Sequence, residues 1–396
     1  MSEKFGWPLM SDNVTRDDCD ALIKFLNPGG AVPRMTNGPQ VKEFEKEWGE
    51  WLGTKHNVMV NSGSSANELT FLMLKHLMPN GGEVILPPLG WVSDVAAVMN
   101  NGFNPVFCDI KKENLALDIE EVKKKTTPNT RAILLIHILG YNGLTQELLD
   151  HCKENNILLI EDCCESHGAT FNGQKIGTFG DISNFSFYFA HHLSSIEGGM
   201  ICTSKDLYYQ LGRSFRSHGM LREMTDENTK EKMIALHPNL NPKFIFLEAA
   251  HNYRSTELNA VIARNGLKRL DSAIETRKNN LEVFLNTLDS KKYFTDFDRE
   301  GNSNYALTLM LKDADMTKRD LVEKTLDDIG VEYRRGMSGG GSQLRQPYIK
   351  RYSDMQDAHK KFPVTEFVSD YGWYIGNYPE LKPKRIVKLT AILNGL

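Results

Sequence analysis

Between residues 57 and 202, short apolar runs alternate with helix-like stretches, and this alternation constrains the fold more than any other feature of the chain. The runs are Asn57–Val60, Glu83–Leu86, Pro105–Ile110, Ala132–His137, Ile157–Ile160, Phe185–Phe187 and Met200–Cys202. Strands separated by helices predict a mostly parallel sheet with helices on its faces, an α/β architecture. A helix is expected from Ala66 to about Met78, stopping at Pro79-Asn-Gly-Gly82. From Leu258 to about Leu288 a long helical pattern bridges to a second unit. That unit holds a strand near Tyr305–Leu311, a helix near Lys318–Ile329 and a Gly-rich loop, Ser338–Gly341, expected to be mobile beside Arg334, Arg335 and Arg345. The predicted organisation is an N-terminal segment (1–40), a large α/β domain (41–262) and a smaller C-terminal α+β domain (263–396).

Charge and hydropathy remove several function classes. Lys and Arg number 47 against 51 Asp and Glu, a net charge of −4, so no basic surplus exists for a polynucleotide backbone. The longest apolar run, Ile133–Leu139, is interrupted by His137 and falls far short of the roughly 20 residues a membrane helix needs. The start, Met1–Pro8, has neither the apolar stretch nor the small-residue site of a secretory signal. Cysteines at 19, 108, 152, 163, 164 and 202 form no C-x-x-C pair and do not cluster with histidines at ligand spacing. The reading is six reduced thiols in a cytoplasmic enzyme, with no zinc or iron–sulfur centre.

Three segments can carry chemistry. In Val60-Asn-Ser-Gly-Ser-Ser-Ala66 a strand ends in small hydroxylated residues and opens a helix, which aims backbone N–H groups and the positive helix end at one spot. Phosphate suits that spot, although a plain Ser-capped turn has the same pattern. Asp162 follows an apolar strand, so its carboxylate emerges where α/β proteins bind ligands, able to hold a protonated heteroaromatic nitrogen or simply to cap a helix. The third segment, Phe185-Ser-Phe-Tyr-Phe-Ala-His-His192 through Glu197-Gly-Gly199, puts paired histidines on an irregular turn as a base, as metal ligands or as surface polar groups.

Together these segments resemble the DegT/DnrJ/EryC1/StrS sugar aminotransferases, pyridoxal 5'-phosphate (PLP) enzymes of the aspartate-aminotransferase fold. The resemblance also takes in Met35–Pro39, Lys175–Asp181, Arg216-Ser-His-Gly219 and Asn252-Tyr-Arg-Ser-Thr-Glu257. It implies that Gly63, Ser64, Ser65 and Ser186 hold the cofactor phosphate, that Asp162 holds the pyridine nitrogen, that Trp91 stacks on the ring and that Glu165 lies close by. It further implies a homodimer with shared active sites, in which Asn252 reaches the neighbouring subunit's phosphate. His218, Arg334 and Arg345 match positions near the sugar-nucleotide substrate. The stretch Met337–Leu344 is longer than its counterpart in the family, which leaves the substrate's identity open.

One position departs from the family pattern. After Phe185-Ser-Phe187 and three intervening residues the aminotransferases carry the lysine that tethers the cofactor, and here that residue is His191, with His192 the alternative if the turn is shifted. An imidazole cannot form the covalent C=N link of a primary amine, yet it can act as a base. This exchange resembles the PLP-dependent 3-dehydratases of dideoxysugar synthesis, which start from the aminated cofactor, pyridoxamine 5'-phosphate (PMP). The resemblance implies removal of the C3 hydroxyl from a nucleotide-linked 4-keto-6-deoxyhexose. With no Cys after 202, the cluster-free branch fits better: GDP-4-keto-6-deoxymannose as substrate, L-glutamate as amino donor, and a product destined for O-antigen lipopolysaccharide. The competing readings are a CDP- or other nucleotide-linked substrate, an aminotransferase using another lysine, and a cofactor-binding scaffold without turnover.

Overall fold

A computed structural model describes residues 5–10, 13–352 and 355–396; the first four residues of the Met1–Pro8 start lie outside it. Its main sheet has seven strands in the spatial order His56–Val60, Gly199–Thr203, Ile182–Ser186, Leu158–Asp162, Thr130–Ile136, Glu83–Leu86 and Asn104–Phe107. Only Gly199–Thr203 runs against the others. The inner strand Thr130–Ile136 carries Ala132, Ile133, Leu134 and Leu135, all fully buried, because helices cover both faces and a parallel strand then has no wet side.

Most expected strands lie within two residues of their observed bounds. Two helices differ more. The first begins at Gly63, three residues before Ala66, because Ser62 is extended and its hydroxyl caps the helix, so the small-residue segment is itself the first helical turn. The long pattern is two helices, Glu257–Leu267 and Leu270–Thr287. At the break the Arg269 guanidinium is held by Asp18 at 2.6 Å and by the Asn13 carbonyl at 2.7 Å, both from the N-terminal segment.

The C-terminal unit is a three-stranded antiparallel sheet, Ala306–Met310, Gly372–Gly376 and Tyr333–Arg335. The helices Leu270–Thr287, Met316–Ile329 and Pro383–Asn394 belong to the same part of the chain. Residues 5–10 close against it: the Trp7 indole donates to the Gly376 carbonyl at 2.9 Å and the Phe5 amide to the Ile329 carbonyl at 2.7 Å.

The Gly-rich loop is not the free flap expected. Gln343 donates its backbone amide to the Pro88 carbonyl at 2.8 Å and its side-chain amide to the Gly90 carbonyl at 2.9 Å. Gly339 comes so close to the Gly90 carbonyl that no Cβ would fit between them, and positive φ at Gly339, Gly340 and Gly341 gives the chain the path it needs. The loop therefore fastens the C-terminal unit to the segment that precedes Trp91. No helix among the described residues is long and apolar enough to cross a membrane.

Candidate active site

Because the strands run parallel, Val60, Leu86, Ile136, Asp162 and Ser186 all end at one edge of the sheet. At Val60 the chain turns into the helix Gly63–Leu77. The Ser62 hydroxyl takes the Ser65 amide at 3.0 Å and the Ser62 carbonyl takes the Ala66 amide at 3.1 Å. The amides of Gly63 and Ser64 then lead the helix with no partner inside it. Ser186 faces this turn so closely that a Cβ on Gly63 would lie 2.5 Å from the Ser186 Cβ and 2.9 Å from the Cys164 sulfur. Leading amides, serine hydroxyls and a positive helix end together fit a phosphate group.

Asp162 ends its strand 5 % exposed. Its Oδ1 accepts the Cys164 amide at 2.9 Å and its Oδ2 the Asn67 side-chain amide at 2.8 Å. Asn67 is one helical turn beyond Gly63, and the same Nδ2 donates to Asp94 Oδ1 at 2.8 Å. Asn184 and Thr70 continue the chain: Asn184 donates to Asn67 at 2.8 Å, and Thr70 to Asn184 at 3.0 Å. Asp94 Oδ2 accepts the Trp91 amide at 2.9 Å, which anchors the start of the helix Val92–Asn100. Trp91 is left 55 % exposed, a large apolar side chain at the sheet edge that a flat heteroaromatic ring would cover. A buried carboxylate with spare acceptor capacity, an open indole and an anion seat fit a phosphorylated pyridine.

His191 sits on the turn after Ser186 and its ring Nδ1 donates to the Ser186 carbonyl at 3.1 Å. A carbonyl only accepts, so Nδ1 carries the hydrogen and Nε2 presents its lone pair. Burial pushes the imidazole down to about 4, so it is neutral at neutral pH. Asn13 donates to the His191 carbonyl, and Tyr305 meets the ring edge-on with 5.4 Å between centroids. His192 turns the other way: it is 4 % exposed, and its Nε2 donates to the Ser303 carbonyl at 3.2 Å. Glu165 accepts the Leu139 amide at 2.9 Å and the Ser338 hydroxyl at 3.4 Å, bridging the main sheet and the Gly-rich loop. Burial pushes its carboxyl up to about 7.

A family model, the DegT/DnrJ/EryC1/StrS aminotransferase family, matches residues 22–394. The chain belongs to this family. It is 30 % identical over 394 residues to a GDP-4-keto-6-deoxy-D-mannose 3-dehydratase of Yersinia pseudotuberculosis, covering 98 % of each chain. The E. coli enzyme of that name with bound hydrated PLP superposes with a TM-score of 0.85 at 28 % identity, covering 98 % of this chain and 99 % of the other. A crystal structure of a GDP-4-keto-6-deoxymannose-3-dehydratase with a trapped PLP–glutamate geminal diamine gives 0.83 at 27 % identity, covering 98 % and 100 %. The fold is that of the PLP-dependent aminotransferases.

The remaining family-matched positions divide. Lys175 donates to the Trp51 carbonyl at 2.6 Å and Lys205 pairs with Asp181, so the lysines nearest His191 in sequence are engaged elsewhere. Asn252 lies exposed on the surface, its side-chain oxygen accepting the Arg254 amide at 3.1 Å. Arg334 is exposed on the strand Tyr333–Arg335, paired in register with Tyr374. Arg345 is clasped by Glu366 at 2.6 Å and Asp370 at 2.7 Å, which commits its guanidinium to the C-terminal unit. His218 is exposed at φ +63° and lines a cavity of about 810 Å³ with Arg34, Arg222, Arg254, Phe244 and Glu248. No residue lining this cavity belongs to the Asp162–His191 group. Sequence reasoning missed Asn67, Asp94 and the cavity arginines. Asn67 had one available signal, its position one helical turn beyond Gly63 on the same face.

Proposed function

We propose that the chain is a PLP/PMP-dependent 3-dehydratase of a nucleotide-linked 4-keto-6-deoxyhexose, with GDP-4-keto-6-deoxymannose as the leading substrate and L-glutamate as amino donor. The observation that carries this reading is an imidazole, not an amine, beside an otherwise complete cofactor seat. Gly63, Ser64, Ser65 and Ser186 would hold the phosphate, Asp162 the ring nitrogen and Trp91 the ring face. Bound there as PMP, the cofactor supplies an amine for the 4-keto group and an electron-withdrawing ring that lets the C3 hydroxyl depart as water.

This chain's residues supply the rest. Asp162, buried and charge-assisted, fixes the ring's direction, and the Gly63 amide fixes its tail. His191 Nε2 accepts a proton from the amine-bearing carbon. A base held near 4 is a poor resting place for that proton, so it is readily passed to the departing hydroxyl. Glu165, held near 7, exchanges protons at neutral pH and stands between the two parts of the site. The three arginines of the 810 Å³ cavity suit a diphosphate. Ala250 and Arg254 of its wall flank Asn252 in the sequence, which supports a homodimer in which this surface completes the neighbouring subunit's site. A site that handles a small nucleotide sugar supports a cytoplasmic location.

Incubation with glutamate and a panel of nucleotide-linked 4-keto sugars tests this reading. The expected result is release of 2-oxoglutarate and ammonia, a 4-keto sugar lighter than the substrate by one oxygen atom once its imine has hydrolysed, and no borohydride-stable label on the protein. A 4-amino sugar as product, or a labelled lysine, would overturn it.

A further inference from the structure

Asp94 and Asp162 are 1 % and 5 % exposed, they share one donor, Asn67 Nδ2, at 2.8 Å each, and neither forms an ion pair among the described residues. Two carboxylates buried side by side without a cation do not both stay charged. We propose that Asp94 is a positioning residue that keeps one proton and hydrogen-bonds it to Asp162, so that the pair carries a single negative charge, the charge one protonated pyridine nitrogen neutralises.

Hydrogen-bond accounting supports this. A carboxylate offers about four lone-pair sites. Asp162 spends one on the Cys164 amide and one on Asn67. A proton on Asp94 takes a third, and one site remains for the ring. The groups facing Asp94 offer no cation: Asp162 and Glu165 are acidic and disfavour a further charge, while Cys164 and Tyr348 are held protonated by burial. Burial first and Asp162 second push Asp94 well above the ordinary carboxylate range. With Asp94 neutral, Asp162 remains the charged partner. With Asp94 ionised, the pocket would carry an excess charge that a ring cation cannot balance.

The inference rests on the cofactor reading, but its first test needs no cofactor. A carboxyl whose folded value is raised takes up a proton on folding, so stability falls as pH rises from the ordinary carboxylate range towards that raised value. Thermal unfolding of the cofactor-free full chain between pH 4.5 and pH 8 should therefore show wild type losing roughly 2–4 °C relative to Asp94→Asn as pH rises. Parallel curves would overturn the proposal. Asp94→Thr serves the same purpose if the amide variant does not fold. With PLP bound, the absorbance of the cofactor's pyridinium should titrate in Asp94→Asn within about 0.3 pH unit of wild type, because one neutral group replaces another. A fall of more than about one unit would mean that Asp94 is ionised in the complex and would overturn the assignment. Absence of any bound-cofactor spectrum in wild type would count against the cofactor reading alone, since the unfolding comparison stands without it.

Discussion

Glu161 and Asp162 are neighbours on one strand, yet one is fully engaged and the other is not. Strand alternation sends their side chains to opposite faces. Glu161 accepts the amides of Gly177, Phe179 and Gly180 at 2.7, 3.0 and 2.6 Å, and His137 approaches it at 3.3 Å. Asp162 receives only two such bonds. His191 and His192 repeat the contrast on the turn that follows Ser186: His192 is buried against the Ser303 carbonyl, while His191 keeps Nε2 free. In both pairs, unspent hydrogen-bonding capacity distinguishes the residue we propose to meet a ligand from the one that holds the fold. His137, Glu161 and Cys163 lie close enough to hold a metal ion, but Glu161's oxygens are already taken by these donors, which makes the group a lock for the turn at 177–180.

The contrast can be broken most directly at the histidines. His191→Asn should lower turnover by about 10²–10⁴-fold and leave cofactor affinity within a few-fold. His192→Asn should lower stability and spare most turnover. Equal losses of turnover in both variants would erase the distinction.

The carboxylates come next. Asp162→Asn should weaken cofactor binding by roughly 10–100-fold with little change in the melting temperature of the cofactor-free protein. Glu161→Ala should do the reverse, costing about 3–5 kcal/mol of stability by stranding buried donors and His137. Calorimetry and cofactor titration on the two variants decide the matter.

A smaller effect should come from pH. Glu165 is raised from 4.5 to about 7, so the folded protein takes up a proton across that window and loses stability as pH climbs through it. His191 is lowered from 6.5 to about 4 and contributes the opposite slope between those values. Glu165→Gln should make the decline between pH 4.5 and 7 shallower than in wild type; an unchanged profile would mean that Glu165 does not titrate there. The smallest effect belongs to Arg345→Ala, about 1 kcal/mol or less for partly exposed ion pairs, with no change in cofactor binding. A large loss of substrate affinity in that variant would return Arg345 to the site.

How much was legible follows from the range of each interaction. Strands and their order of chemistry were readable because apolar runs and turn residues are local signals. Asp162 and the Gly63 turn were readable because a strand's carboxyl end follows from the alternation. The helix break at Arg269 was not, since its cause is Asp18, some 250 positions away in sequence. The docked Gly-rich loop was not, since glycines look the same whether they are free or packed against Gly90. Asp94 escaped for the same reason: its link to Asp162 runs through the Asn67 amide, a contact that no spacing announces.

Ser186 does two things at once. Its hydroxyl faces the Gly63 turn, and its carbonyl orients the His191 ring. On the proposed function, anchoring and aiming would pass through a single residue, so the seating of the coenzyme's tail and the alignment of the base would rise and fall together. A protein that works as proposed would need no permanent chemical leash on its coenzyme, and spent molecules would be free to leave and be replaced between rounds.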